Sequence, residues 1–106
     1  MQDYKQDYKL EILAPAWAEL EEIADYHLMM VGPVSAKNIT DKILSSIERL
    51  KTYPLSGAAV VEDELNPLGY RVVISGKYVC VYKIIGETIF VYHIVHGSRD
   101  YPRLFK

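Results

Sequence analysis

The run Tyr70-Arg71-Val72-Val73-Ile74-Ser75-Gly76-Lys77-Tyr78-Val79-Cys80-Val81-Tyr82-Lys83-Ile84-Ile85-Gly86-Glu87-Thr88-Ile89-Phe90-Val91-Tyr92-His93-Ile94-Val95-His96 decides the fold. Two glycine-containing pairs, Gly76-Lys77 and Gly86-Glu87, interrupt stretches rich in β-branched and aromatic residues. Two-residue turns of this kind join antiparallel strands. The run therefore predicts a three-stranded meander over Tyr70–Ser75, Tyr78–Ile85 and Thr88–His96. Its strands are apolar on both faces. One face can pack on helices, and the other needs a cover, which suggests a partner.

Upstream, the periodicity changes. Tyr8, Leu10 and Ile12 alternate with Lys9 and Glu11, a period of two that marks a short strand. Ala14-Pro15 ends it, and Pro15 suits the first turn of a helix. Trp17, Leu20, Ala24, His27/Leu28 and Val31 recur at helical spacing, with Glu19, Glu22 and Asp25 largely off that stripe. Glu19, Glu21 and Glu22 come early, where the helix dipole favours anions. Gly32-Pro33 breaks this helix and starts another, whose stripe is Ala36, Ile39, Ile43, Ile47 and Leu50. Tyr53-Pro54 stops the second helix. So short a link makes the two helices an antiparallel hairpin. Residues 54–69, with Pro54, Gly57, Glu62-Asp63-Glu64 and Asn66-Pro67, read as a surface connection long enough to move. The order is β-α-α-β-β-β, an α+β fold of two layers. Residues 1–7 read as a leader containing a near-repeat (Asp3-Tyr4-Lys5, Asp7-Tyr8-Lys9), and residues 8–106 as a single domain.

Composition narrows the function classes. The chain has 106 residues, half of them hydrophobic, enough for one modest core. No apolar run approaches the ~18 residues of a membrane-spanning helix, so no membrane partner is expected. One cysteine, Cys80, permits no internal disulfide, and the polar N-terminus is no export signal, so the cytoplasm is the expected compartment. The net charge of −2 hides an asymmetry. Residues 1–69 carry 12 acids and 6 bases, whereas residues 70–106 carry 2 acids and 6 bases. The C-terminal third thus suggests one basic face able to meet an acidic partner.

Few residues carry chemistry. His93 and His96 are three apart on a strand, which predicts opposite faces and no metal site. Cys80 lies mid-strand between valines, the setting of a core residue and not an activated thiolate. His27 falls on the helix stripe and reads as a satisfied, partly buried side chain. No phosphate-binding glycine loop or nucleophile elbow appears, and no cofactor is implied. What remains is His96-Gly97-Ser98-Arg99-Asp100-Tyr101-Pro102-Arg103-Leu104-Phe105, with Arg71 as a neighbour from the first strand of the meander. Arginines beside aromatics can hold phosphates or pair with carboxylates of a partner. Asp100, Leu104 and Phe105 read as structural, an ion pair and an anchor for the tail.

Tyr70-Arg71-Val72-Val73, Gly76-Lys77-Tyr78, Val81-Tyr82 and Ile94-Val95-His96-Gly97-Ser98-Arg99-Asp100 together resemble the RelE/ParE superfamily of bacterial type II toxins, over residues 8–105. That resemblance implies the same helix hairpin and meander. RelE-like members cut messenger RNA on the ribosome, whereas ParE-like members inhibit DNA gyrase. The RelE catalytic positions fall on Arg71, Val73, Val79, Arg99 and Phe105. Charge is kept at the first and fourth, lost at Val73 and Val79, and the tyrosine hydroxyl is lost at Phe105. General base catalysis and charge stabilisation would both be short of groups.

The ending His96-Gly97-x-Arg99-Asp100 resembles the ParE branch more closely. The resemblance therefore implies a ParE-like toxin acting by binding, with Arg71, Lys77, Arg99 and Arg103 as target-contact residues. It also implies a cognate antitoxin, acidic where it meets Arg71 and Arg99. Self-association into a homodimer through the apolar sheet face is a further expectation. Two alternatives stay open: a ribosome-dependent endoribonuclease built on Arg71, His96 and Arg99, and a non-toxic module that only binds antitoxin.

Overall fold

The computed structural model describes residues 7–59 and 69–97. Within them the elements are β1 (Lys9–Ile12), α1 (Ala14–Met30), α2 (Pro33–Glu48), a 3-10 turn at Arg49–Lys51, β2 (Ala58–Ala59), β3 (Arg71–Ser75), β4 (Tyr78–Ile85) and β5 (Thr88–His96). The sheet order is β1-β5-β4-β3-β2, so the first strand lies beside the last. β1 and β5 run parallel, with Lys9 opposite Thr88 and Ile12 opposite Val91. The other pairings are antiparallel. This is the expected α+β fold with its helix hairpin and three-stranded meander. No helix among the described residues is long and apolar enough to cross a membrane.

The meander forms where the glycines permit it. Gly76 and Gly86 have φ of 60° and 62°, while among the described residues no other residue type takes a positive φ. A glycine at the first central position is what a type II′ hairpin turn demands. The β4–β5 register shifts between Val81 and Tyr82, so β5 carries one extra residue at Tyr92. On β4, Tyr78, Cys80 and Tyr82 face the helices and Val79, Val81 and Lys83 face away.

The core lies between hairpin and sheet. Ile43, Ile47 and Leu50 follow the expected stripe of α2 and pack with Tyr78, Cys80, Tyr82, Ile89, Val91 and Ile94. Burying each large side chain contributes about 1.5–3 kcal/mol. On α1 the phase differs in part from the sequence reading. Ala16 and Leu20 are buried and Ile23 packs against them, whereas Trp17, Leu28 and Val31 are exposed. Leu20 and His27 of the expected stripe do turn inward, and the stripe begins at the small Ala16 in place of the bulky Trp17.

Two further expectations are corrected. The sheet face turned away from the helices is not bare: Val79, Val81 and Val95 on it are buried within the chain itself. Tyr70 and Tyr92 stack edge-to-face there with centroids 5.1 Å apart, and Lys83 lies over the Tyr70 ring. Nor is the segment after Tyr53 a mere surface connection. Ala58–Ala59 adds a strand to β3, and Gly57 is buried. A Cβ on Gly57 would stand 2.5 Å from both the Tyr82 hydroxyl and the Val72 carbonyl. Side-chain volume, not backbone conformation, excludes every other residue there.

Candidate functional site

Arg71 opens β3 opposite Tyr82, so both side chains point to the helix side of the sheet. There they meet residues 54–57. Arg71 Nη2 donates to the carbonyls of Leu55 (3.2 Å) and Gly57 (2.6 Å). Tyr82 Oη donates to the Pro54 carbonyl at 2.7 Å and accepts from the Gly57 N–H at 3.2 Å. Two side chains thus hold one loop by four hydrogen bonds. The Arg71 Nε is buried with no hydrogen-bond partner.

The other end of the meander holds a cleft. Lys77 in the β3–β4 turn and His96 at the end of β5 line it together with Glu19, Glu22, Ile23 and Tyr26 from α1 and with Tyr78 on its floor; its volume is about 460 Å³. Gly97 N–H donates to the Lys77 carbonyl at 2.7 Å, which ties the turn to the strand end. His96 and Tyr78 meet edge-to-face at 5.6 Å. The Tyr78 hydroxyl lies 3.1 Å from His27 Nε2, and Ser35 Oγ lies 3.3 Å from His27 Nδ1. His27 is therefore a satisfied bridge between α1, α2 and the sheet, as its place in the sequence suggested. Burial raises the Tyr78 phenol above its ordinary value, with Tyr26 adding to the effect. Burial pushes the Cys80 thiol up to about 12, so it stays protonated and unreactive at neutral pH.

A second contact was not legible in the sequence. Glu19 accepts from the backbone N–H of Ile94 at 2.9 Å and from His93 Nδ1 at 3.0 Å. β1 ends opposite Val91, so among the described residues the β5 edge beyond it has no neighbouring strand, and the Glu19 carboxylate takes that place. Glu19 lies past the first turn of α1, so its role is this anchor and not the helix dipole expected for it.

Of the residues singled out in the sequence, the structure brings Lys77 and His96 to one cleft. Arg71 is elsewhere: its β4 partner Tyr82 is four residues from Tyr78, the partner of His96, a separation of about 13 Å along the strand. Val73 shares the helix-side face with Arg71, but Val79 is on the opposite face. The charged groups of the last third also part company, with Arg71 on the loop, Lys77 in the turn and Lys83 on the far face. They form no common basic face among the described residues. Arg99, Arg103, Asp100, Leu104 and Phe105 lie outside the described residues.

Residues 10–101 match the family model described as the ParE toxin of the type II toxin–antitoxin system parDE. The chain belongs to the ParE toxin family. Solved toxin–antitoxin structures share its fold. The chromosomal ParDE toxin–antitoxin system from P. aeruginosa superposes with a TM-score of 0.73 at 19% identity, over 87% of this chain and 98% of that one. The RelBE2 toxin–antitoxin complex from Mycobacterium tuberculosis gives 0.65 at 17% identity, over 92% of this chain and 100% of that one. No curated protein matches by sequence. This member of the ParE family keeps the RelE/ParE fold while placing Arg71, Val79 and His96 apart.

Proposed function

We propose that this ParE-family toxin acts by binding DNA gyrase, without catalysing RNA cleavage, and is neutralised by a cognate antitoxin. One observation carries the mode of action: the Arg71 guanidinium is taken up by the carbonyls of Leu55 and Gly57. Its rigid fork of donors is turned onto the protein's own backbone, away from a phosphate. His96, which the endoribonuclease alternative would need beside Arg71, stands at the other end of the strands. General acid–base chemistry needs its groups within about 3 Å of one reacting centre. A surface that binds a protein has no such requirement. Lys77, beside the aromatic cleft of Tyr26 and Tyr78, is the described member of the contact surface, and Arg99 and Arg103 complete the proposal. The antitoxin follows from the family and from the toxin–antitoxin pairs that share the fold.

The test is controlled expression in a bacterial host lacking antitoxin, with plasmid topology, DNA breaks and transcript integrity read in one culture. Lost supercoiling or DNA breaks with intact transcripts is the expected result. Rapid transcript cleavage with normal topology overturns the proposal, and absence of growth arrest leaves only the antitoxin-binding module.

A further inference from the structure

Glu19, Glu22 and Tyr26 follow one another at helical spacing, so they share one face of α1 and form one wall of the cleft beside Lys77. Rings continue from that wall. Tyr26 meets His27 edge-to-face at 5.6 Å, His27 meets Tyr78 at 6.3 Å, and Tyr78 meets His96 at 5.6 Å. Four rings thus run without a break from the helix to the end of β5. The cleft they line, of about 460 Å³, has room for a long side chain.

Its charges are unequal in number and unmatched. Two carboxylates, Glu19 and Glu22, stand against one ammonium, Lys77. Glu19 is engaged by the Ile94 N–H and by His93. Among the described residues, the side chains of Glu22 and Lys77 enter no hydrogen bond or ion pair, with each other or with any neighbour. A carboxylate beside aromatic rings suits a cation, because the ring faces attract it and the carboxylate neutralises it. Glu22 precedes Tyr26 by one helical turn, so the two side chains can act on the same group.

Arginine fits this lining better than lysine does. A flat guanidinium stacks on a ring while its edge pairs with a carboxylate through two parallel hydrogen bonds. An anion would find Lys77 alone, on a flexible stem in an exposed turn, in a lining that holds two carboxylates. Glu22, Tyr26, Lys77 and His96 are all exposed, so the cleft is open to water. A free small molecule is held by a site that encloses most of its surface. A side chain carried on a protein brings its own cover, the ring of contacts that shuts water out around it.

We propose that this cleft receives an arginine side chain presented by a partner protein, with the guanidinium stacked on Tyr26 and paired with Glu22. This names the chemistry of the cleft and does not depend on which target the toxin binds. The test is a titration of the isotope-labelled full chain with N-acetyl-L-arginine amide, read by amide chemical shifts. It is run at constant ionic strength and about pH 8, above the ordinary imidazole range. The expected result is a saturable, millimolar response centred on Glu22, Tyr26 and Tyr78. Glu22→Gln should weaken it by ~3-fold or more, as loss of an exposed ion pair does. Tyr26→Ala should weaken it too, while Lys77→Gln should strengthen it by removing a like charge. N-acetyl-L-lysine amide should bind more weakly than the arginine probe.

All three substituted side chains are exposed, and circular dichroism melting checks that each variant folds. The absence of a saturable response overturns the proposal, as does full binding by a folded Glu22→Gln variant. Binding of N-acetyl-L-glutamate amide in place of the arginine probe, lost in Lys77→Gln, would make this an anion site and overturn it equally. Free L-arginine binding at least ~10-fold tighter than the blocked probe would make the ligand an amino acid and not a partner's side chain. A change of toxicity in Lys77→Gln with probe binding intact bears on the gyrase reading alone.

Discussion

Arg71 Nη2 lies 2.6 Å from the carbonyl oxygen of Gly57, so the cation at the head of β3 binds its own chain. Hydrogen bonds from a charged donor contribute more than neutral ones, and the carbonyls they satisfy are left wanting when the donor goes. Arg71→Ala should lower unfolding stability by about 2 kcal/mol. Arg71→Lys should recover only part of it, because an ammonium cannot reproduce the fork. Urea unfolding measures both. A folded Arg71→Ala variant of unchanged stability but no toxicity would make Arg71 a target contact instead.

Gly57 gives a sharper steric prediction. Its missing Cβ would collide with the Tyr82 hydroxyl and with the Val72 carbonyl. Gly57→Ala should destabilise by about 1–3 kcal/mol, the usual cost of overpacking. Adding Tyr82→Phe removes one clash but leaves the Val72 backbone in place and orphans the Gly57 N–H and Pro54 carbonyl. The double variant should therefore unfold at no higher urea concentration than Gly57→Ala alone.

Glu19 separates an anchoring role from a merely charged one. Glu19→Ala leaves the Ile94 N–H on the sheet edge without its acceptor, a cost of about 1–3 kcal/mol. Glu19→Gln keeps an oxygen there and should cost less than half as much. Amide hydrogen exchange at Ile94 is the local readout: faster in the alanine variant, near wild type in the glutamine one.

Stability should fall on the alkaline side. Burial raises the Cys80 thiol from its ordinary 9.0 to about 12. Burial likewise raises Tyr78, with Tyr26 adding, and Tyr70, with Tyr92 adding. Above pH 9 the unfolded chain releases the thiol proton while the native chain keeps it. The stabilisation is thus complete below pH 9 and drains away as pH climbs toward 12. Cys80 alone accounts for on the order of 1 kcal/mol between pH 8 and pH 10. Urea midpoints at those two pH values should drop less in Cys80→Ala than in wild type, and an equal drop would remove Cys80 from the account.

The parts of the fold legible in the sequence are those written in local chemistry. Gly76 and Gly86 mark turns because other residues avoid their backbone conformation, and Ile39, Ile43 and Ile47 mark one face of α2 because polar residues fill the rest. On α1 the same reasoning found Leu20, Ala24 and His27 but began the stripe at the exposed Trp17, where Ala16 is buried. The last turn is apolar apart from His27, so hydrophobicity there carries little phase information. β2 is two alanines joined by backbone bonds, and nothing in their side chains announces a strand. The site was read less well for a related reason. Arg71 in sequence is a cation near other cations. Its capture by Leu55 and Gly57 depends on a chain reversal 14 and 16 residues upstream, which periodicity cannot locate. Glu19 and His93, 74 residues apart, meet only once the strands are ordered.

That ordering has a consequence for how the toxin comes into being. Among the described residues β1 is the first strand made and pairs only with β5, the last. Residues 9–12 must wait for residues 88–91, so the contact that closes the sheet spans nearly the whole chain and is entropically slow to form. A nascent chain ending at Ile85 has β3 and β4 but no seat for β1, and Ile94 is not yet there for Glu19 to hold. The sheet thus gains its last strand late, and until then the apolar strands of the meander stand most open to capture by another molecule.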